Sequence, residues 1–126
     1  MNEMNFHNFK TFGVLGNVSS KTFLKAIEEE NPDVLIILHL YSNRLKICQE
    51  INQMMTELAT KFPRIKFLKG VANELSQGFD DLALPSLVIY KGGKLIDSLI
   101  RFTDKLPSNF DIDHFEHFLK KQNFLF

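Results

Sequence analysis

The segment DVLIILHLY, residues 33–41, is almost unbroken Val, Ile and Leu. A strand with one wet face alternates apolar and polar residues. A run that is apolar at nearly every position needs cover on both faces. That condition is met in the middle of an α/β sheet, with neighbouring strands at its edges and helices on either side. The run is far too short to cross a bilayer, which takes about 20 apolar residues in a helix. The rest of the chain must therefore supply at least two further strands and helices for both faces. A length of 126 residues suits one such domain.

The flanking periodicities supply those elements. TFGVLGNV (11–18), with apolar residues broken by Gly13 and Gly16, predicts a short edge strand with a bend. In SSKTFLKAIEEENPD, Ser19 or Ser20 is expected to cap a helix whose stripe is Phe23, Leu24 and Ile27, and Asn31-Pro32 ends it. After residue 45 the apolar period lengthens to three or four. Ile47, Ile51, Met54, Met55, Leu58 and Phe62 predict an amphipathic helix ending at Pro63, with Met54, Leu58 and Phe62 in the core. RIKFLKGV (64–71) predicts another strand. ANELSQGFDDLA (72–83) is polar and has room for one short helix. LPSLVIY (84–90), KGG and KLIDSLIRF (94–102) predict a β-hairpin with Gly92 and Gly93 in its turn and Val88 in the core. The last helix starts near Asp111 or Asp113 and carries Ile112, Phe115, Phe118 and Leu119 on one face. Asp113 and Glu116 have the spacing of a capping-box variant. Residues 1–10, MNEMNFHNFK, are polar with scattered aromatics and predict a flexible segment ahead of a domain over 11–126.

The resulting order, β-α-β-α-β-(α)-β-β-α, combines two right-handed parallel crossovers with an antiparallel hairpin. A mixed central sheet with helices on both faces satisfies both. Thirteen Phe and no Trp point to a core built on aromatic rings without a polar handle.

Composition excludes several classes of function. Lys plus Arg equals Asp plus Glu, at 15 each, so no basic excess points to nucleic acid or an anionic membrane surface. The first ten residues lack the apolar stretch of a signal peptide. The single cysteine, Cys48, cannot form an internal disulfide, which points to a reducing compartment, the cytoplasm. His114 and His117 share a helix face, but no Cys or carboxylate cluster completes a metal site with them. Asp80-Asp81 and Glu28-Glu29-Glu30 read as solvated charges. Gly92-Gly93 lacks the Lys-Ser/Thr and helix of a phosphate loop. A monomer without metal or cofactor is expected.

The element order, with a Pro opening the fourth strand, resembles the thioredoxin fold. In more detail, VLIILHLYSNRLKICQEINQMMTELATKFPRIKFLKG, FGVLGNVSSKTFLKAI and LPSLVIYKGGKLI resemble the thioredoxin-like C-terminal domain of the phosducin-like family, over roughly residues 11–120. They look nearer to the branch containing viral-IAP-associated factor than to retinal phosducin. The thioredoxin resemblance implies that Leu45 occupies the place of the nucleophilic cysteine, Cys48 that of the second cysteine, and Pro85 that of the cis-proline. It also implies that His39 takes the place of a buried acid, with Lys69 beside it on the next strand.

Disulfide exchange needs an attacking thiolate and a resolving thiol. Leu45 supplies neither, and Cys48 reads as a small, partly buried core residue. His39 reads as a structural histidine. With the nucleophile gone, Ser42, Asn43 and Arg44 form a candidate partner-binding loop at the tip of a rigid strand. The phosducin-like resemblance implies a non-catalytic co-chaperone module. Its expected partners are the cytosolic chaperonin (TRiC/CCT) with its clients actin, tubulin or G-protein β subunits, and also G-protein βγ. The alternative is a monothiol redox protein that uses Cys48 alone.

Overall fold

A computed structural model describes residues 11–125, so the segment 1–10 expected to be flexible lies outside the described residues. The apolar run forms β2 (Leu35–Tyr41), at the centre of a five-stranded sheet ordered β1-β3-β2-β4-β5. Its neighbours are β3 (Lys66–Val71), parallel to it, and β4 (Ser86–Lys91), antiparallel. β1 (Leu15–Asn17) runs parallel to β3 at one edge, and β5 (Lys94–Leu99) runs antiparallel to β4 at the other. Ile37 stands opposite both Phe67 and Ile89, and all three side chains are sealed from solvent.

The two faces of β2 feed different layers, as the two-residue period of a strand requires. Leu35 and Ile37 join Phe67, Leu87 and Ile89 beneath α2 (Lys46–Lys61) and α4 (Ile112–Lys121). Ile36 and Leu38 join Leu68, Val88 and Val18 on the opposite face, against Ile27 of α1 (Phe23–Glu28). A single turn, α3 (Ala72–Leu75), follows β3. The chain is thus an α/β domain with a mixed sheet covered on both sides. Gly92 and Gly93, at φ +62° and +76°, make the β4–β5 turn, a backbone shape that costs glycine no steric penalty.

Several local expectations give way to packing. Ser19 does not cap α1. Thr22 holds the N-cap position without a side-chain cap bond, and Ser19 Oγ accepts from the Lys21 N–H in the preceding turn. In so short a helix only the side around Ile27 reaches the sheet, so Leu24 faces solvent. Glu30 is not solvated: it is buried beside Lys66, whose Nζ reaches its carboxylate at 2.9 Å and the Ala26 carbonyl at 3.1 Å. The capping box of α4 is Asp111 with His114, not Asp113 with Glu116. Glu116 is drawn instead to Lys61 of α2 at 2.8 Å and Lys120 at 2.9 Å, which hold its carboxyl below the usual range. Met54 and Phe62 flank the buried stripe of α2 and are half-buried, whereas Leu58 and Val88 are buried. Phe62 packs at the helix end with the ammonium groups of Lys61 and Lys120 at 5.8 and 5.9 Å from its ring centre.

Phe67, Phe102, Phe115, Phe118 and Phe124 carry the aromatic core. Phe102 and Phe115 stack with centroids 5.4 Å apart. Phe115→Ala is therefore expected to cost on the order of 3–5 kcal/mol in urea denaturation, and Phe62→Ala distinctly less. A Phe115 variant that loses under about 1 kcal/mol would contradict the packing of α4 on the sheet.

Candidate functional site

β2 delivers its C-terminal end to the loop that starts α2. Tyr41, the last strand residue, is buried, and the chain then turns through Ser42, Asn43 and Arg44. Ser42 points inward. Its Oγ accepts from the Arg44 N–H at 3.2 Å, and its carbonyl accepts from the Leu45 N–H at 3.3 Å. It shapes the loop and leaves Asn43 and Arg44 as the exposed side chains. Leu45 is the extended N-cap residue of α2 (φ −102°, ψ 119°) and is half-buried. Its carbonyl accepts from the Cys48 N–H at 3.1 Å.

Cys48 is fully buried, in a cluster with Tyr41, Ala72 and Leu84. Burial pushes its thiol pKa up, and the nearby Asp81 carboxylate acts in the same direction, against a backbone hydrogen bond from Ser42 that favours the thiolate. A nucleophilic cysteine needs the opposite: a lowered pKa and access. Leu84 belongs to the same cluster, and the Leu84–Pro85 peptide that follows is cis.

Asp81 is the residue that sequence reasoning passed over. Asp80 and Asp81 read as loop charges, yet both are committed. Asp80 Oδ1 accepts from the Leu82 N–H at 2.9 Å and caps a 3₁₀ turn over Asp81–Ala83. Arg44 donates to Asp81 Oδ2 from Nε at 3.2 Å and from Nη2 at 2.8 Å. This ion pair joins the β2 loop to the segment leading into β4. Arg101 also donates to the Leu82 carbonyl, at 3.2 Å. Leu82, the next residue after Asp81, is left 71% exposed. The only prior signal was the pairing of two acids just before ALPS. Nothing in the local pattern ties them to a residue 37 positions earlier.

His39 lies beneath this surface, fully buried on the α2 side of β2. Its Nδ1 is 2.7 Å from Asn52 Oδ1 on α2. An amide oxygen only accepts, so Nδ1 carries the proton. Nε2 has no hydrogen-bond partner among the described residues. The ring stacks on Tyr41 and meets Phe102 edge-on, and Lys69 stands opposite in the sheet. Burial lowers the imidazole pKa to about 4, with Lys69 adding repulsion. His39 is thus a neutral, structural link between β2 and α2. Among the described residues no group of three or more His, Cys, Asp or Glu could hold a metal ion, and no helix is long and apolar enough to cross a membrane.

The model of the family described as Phosducin matches residues 1–126. The chain belongs to the phosducin family. It is 37% identical over 116 residues to phosducin-like protein 1 of Dictyostelium discoideum, covering 92% of this chain and 37% of that protein. It is 34% identical over 109 residues to phosducin of Bos taurus, covering 85% and 44%. It is 35% identical over 105 residues to the phosducin-like protein of Homo sapiens, covering 82% and 35%. The chain therefore spans well under half the length of these relatives. Among solved structures, thioredoxin f of spinach chloroplast in its long form superposes with a TM-score of 0.63 at 16% identity, covering 75% of this chain and 83% of that one. A chain from the complex of ferredoxin:thioredoxin reductase and thioredoxin f2 superposes at 0.68 with 17% identity, covering 90% and 98%. This phosducin-family domain therefore has the thioredoxin fold.

Two outcomes follow from the geometry. Leu45→Cys should form a disulfide with Cys48 under oxidising conditions, because the two positions span the first turn of α2. Intact mass before and after alkylation reads this directly, and a folded variant that keeps two free thiols would refute the placement. Stability should also depend on His39. The unfolded imidazole takes up a proton near pH 6.5 and the folded one only near pH 4. The contribution is complete above about pH 6.5 and is lost as the pH falls toward 4, in total on the order of 3 kcal/mol. Denaturant midpoints measured across that window should show this slope, and His39→Phe should remove it.

Proposed function

We propose that this chain is a non-catalytic, thioredoxin-like binding module of a phosducin-type co-chaperone. In this reading it acts in the cytoplasm on the cytosolic chaperonin (TRiC/CCT) during folding of actin, tubulin or G-protein β subunits, with G-protein βγ as a further partner. The observation that carries the reading is the fate of the helix start. A leucine stands where exchange chemistry needs a thiolate, Cys48 is sealed with a raised pKa, and the loop beside them remains ordered and exposed through the Arg44–Asp81 bridge. A thioredoxin scaffold without its nucleophile can still serve recognition, since one fold hosts many functions. Arg44 offers a planar donor group of a kind enriched at protein interfaces, and Leu82 adds an exposed apolar contact. Membership of the phosducin family supports a protein as the partner.

Sedimentation of the fluorescently labelled chain with purified chaperonin tests the proposal. Co-migration is expected, and Arg44→Glu with Leu82→Asp should weaken it by about tenfold or more. Insulin reduction with dithiothreitol should stay at the uncatalysed rate. Catalysis that disappears in Cys48→Ser would replace this reading with a monothiol redox function.

A further inference from the structure

The second edge of the sheet carries a feature that the β2 loop does not explain. β5 is exposed at every residue from Lys94 to Ser98, and Leu99 is half-buried. One side of β5 pairs with β4, and among the described residues no strand pairs with the other. Leu95 is 58% exposed, Ile96 55% and Ile100, just beyond the strand, 66%. Such edges are normally blunted by charge, by a bulge or by cover, because their free N–H and C=O groups template another strand. Here a register shift opposite Ile89 and Tyr90 displaces Ile96 from the ladder, yet three large apolar side chains remain in water.

Two further observations indicate what belongs there. Where β5 ends, a shallow cleft of about 100 Å³ opens between Ser98, Leu99, Ile100, Phe102, Lys105 and Phe118. It has room for one apolar side chain. The charges around this edge are also unbalanced. Arg101 is satisfied by Asp104 at 3.1 Å, but among the described residues Lys91, Lys94 and Lys105 have no acidic partner. Asp97 is the single carboxylate within β5, and its Oδ1 accepts from the Ser98 N–H. The edge therefore presents apolar residues flanked by cations, with one acid in the middle.

We propose that the β5 edge docks an extended, acidic segment of a partner protein. The segment adds a strand beside β5, places one apolar side chain in the cleft by Phe118, and sets its carboxylates against Lys91 and Lys94 at one end and Lys105 at the other. In this mode main-chain hydrogen bonds supply affinity and the side-chain pocket supplies specificity. Charge complementarity selects the occupant. A second copy of this chain paired through the same edge would bring two net-positive rims together.

The probe is a synthetic peptide with two glutamates at each end of a Val-Thr-Val centre, acetylated and amidated. It is titrated into the isotope-labelled chain while amide shifts and hydrogen exchange are followed. Saturable shifts and slowed exchange are expected over residues 94–100, with further shifts at Lys105 and Phe118. Lys94→Glu with Lys105→Glu, and separately Ile100→Asp, should each weaken binding by about tenfold, while Arg44→Glu leaves it unchanged. All of these positions are exposed, so the variants retain the dispersed spectrum of a folded chain. Three results would overturn the proposal: no change in β5 at millimolar peptide, equal binding of a backbone N-methylated peptide that cannot pair, or a concentration-dependent dimer abolished by Ile100→Asp.

Discussion

Everything in this domain hangs on the burial of β2 from both sides. Ile37 touches the layer beneath α2 and α4, while its neighbours Ile36 and Leu38 face the layer beneath α1. Neither layer closes without the other, because a strand with one bare apolar face would expose several large side chains at once. Flanking β2 with β3 and β4 satisfies its backbone groups as well, so the least polar stretch of the chain is also one of its most fully bonded. The mixed topology follows. β3 arrives parallel after a helical crossover, and β4 arrives antiparallel so that a tight glycine turn can return β5.

The same architecture positions the β2 loop that we propose as a binding site. In this fold the end of the central strand is where chemistry is placed, on a loop held by rigid elements. This chain keeps the placement and changes the groups. Cys48 is absorbed into a hydrophobic cluster, Ser42 turns inward to shape the loop, and the loop positions that reach solvent are filled by Asn43 and Arg44. Arg44 is itself held by Asp81, so part of the entropy of ordering that long side chain is already spent before a partner arrives.

Much of the fold was legible because its signals are periodic. The double-sided apolar run, the three-to-four spacing of α2 and the Lys-Gly-Gly turn each have a direct physical reading, and each element lies where that reading puts it. The errors lie where a short local pattern competes with tertiary packing. Leu24 matched a helical stripe, but a six-residue helix touches the sheet on one narrow side. Asp113 and Glu116 matched a cap, but Glu116 had a better offer from a lysine on another helix. Glu30 looked solvated because its partner, Lys66, is 36 residues away. The candidate loop was legible through its position in the fold. Its anchoring by Asp81 was not, since an ion pair across such a separation leaves no periodic trace.

The bond between His39 and Asn52 has a consequence for where that loop sits. Apolar packing is forgiving: a helix can slide along a greasy strand and still bury similar area. A polar pair in the middle of that contact is not. Displacing α2 by one turn, about 5.4 Å, would strand an imidazole N–H and an amide oxygen in a water-free layer. The pair therefore acts as an index pin. It fixes the position of α2 along β2, and with it the height at which Asn43 and Arg44 stand above the sheet. The geometry of this exposed loop is set from below, by one hydrogen bond sealed away from solvent.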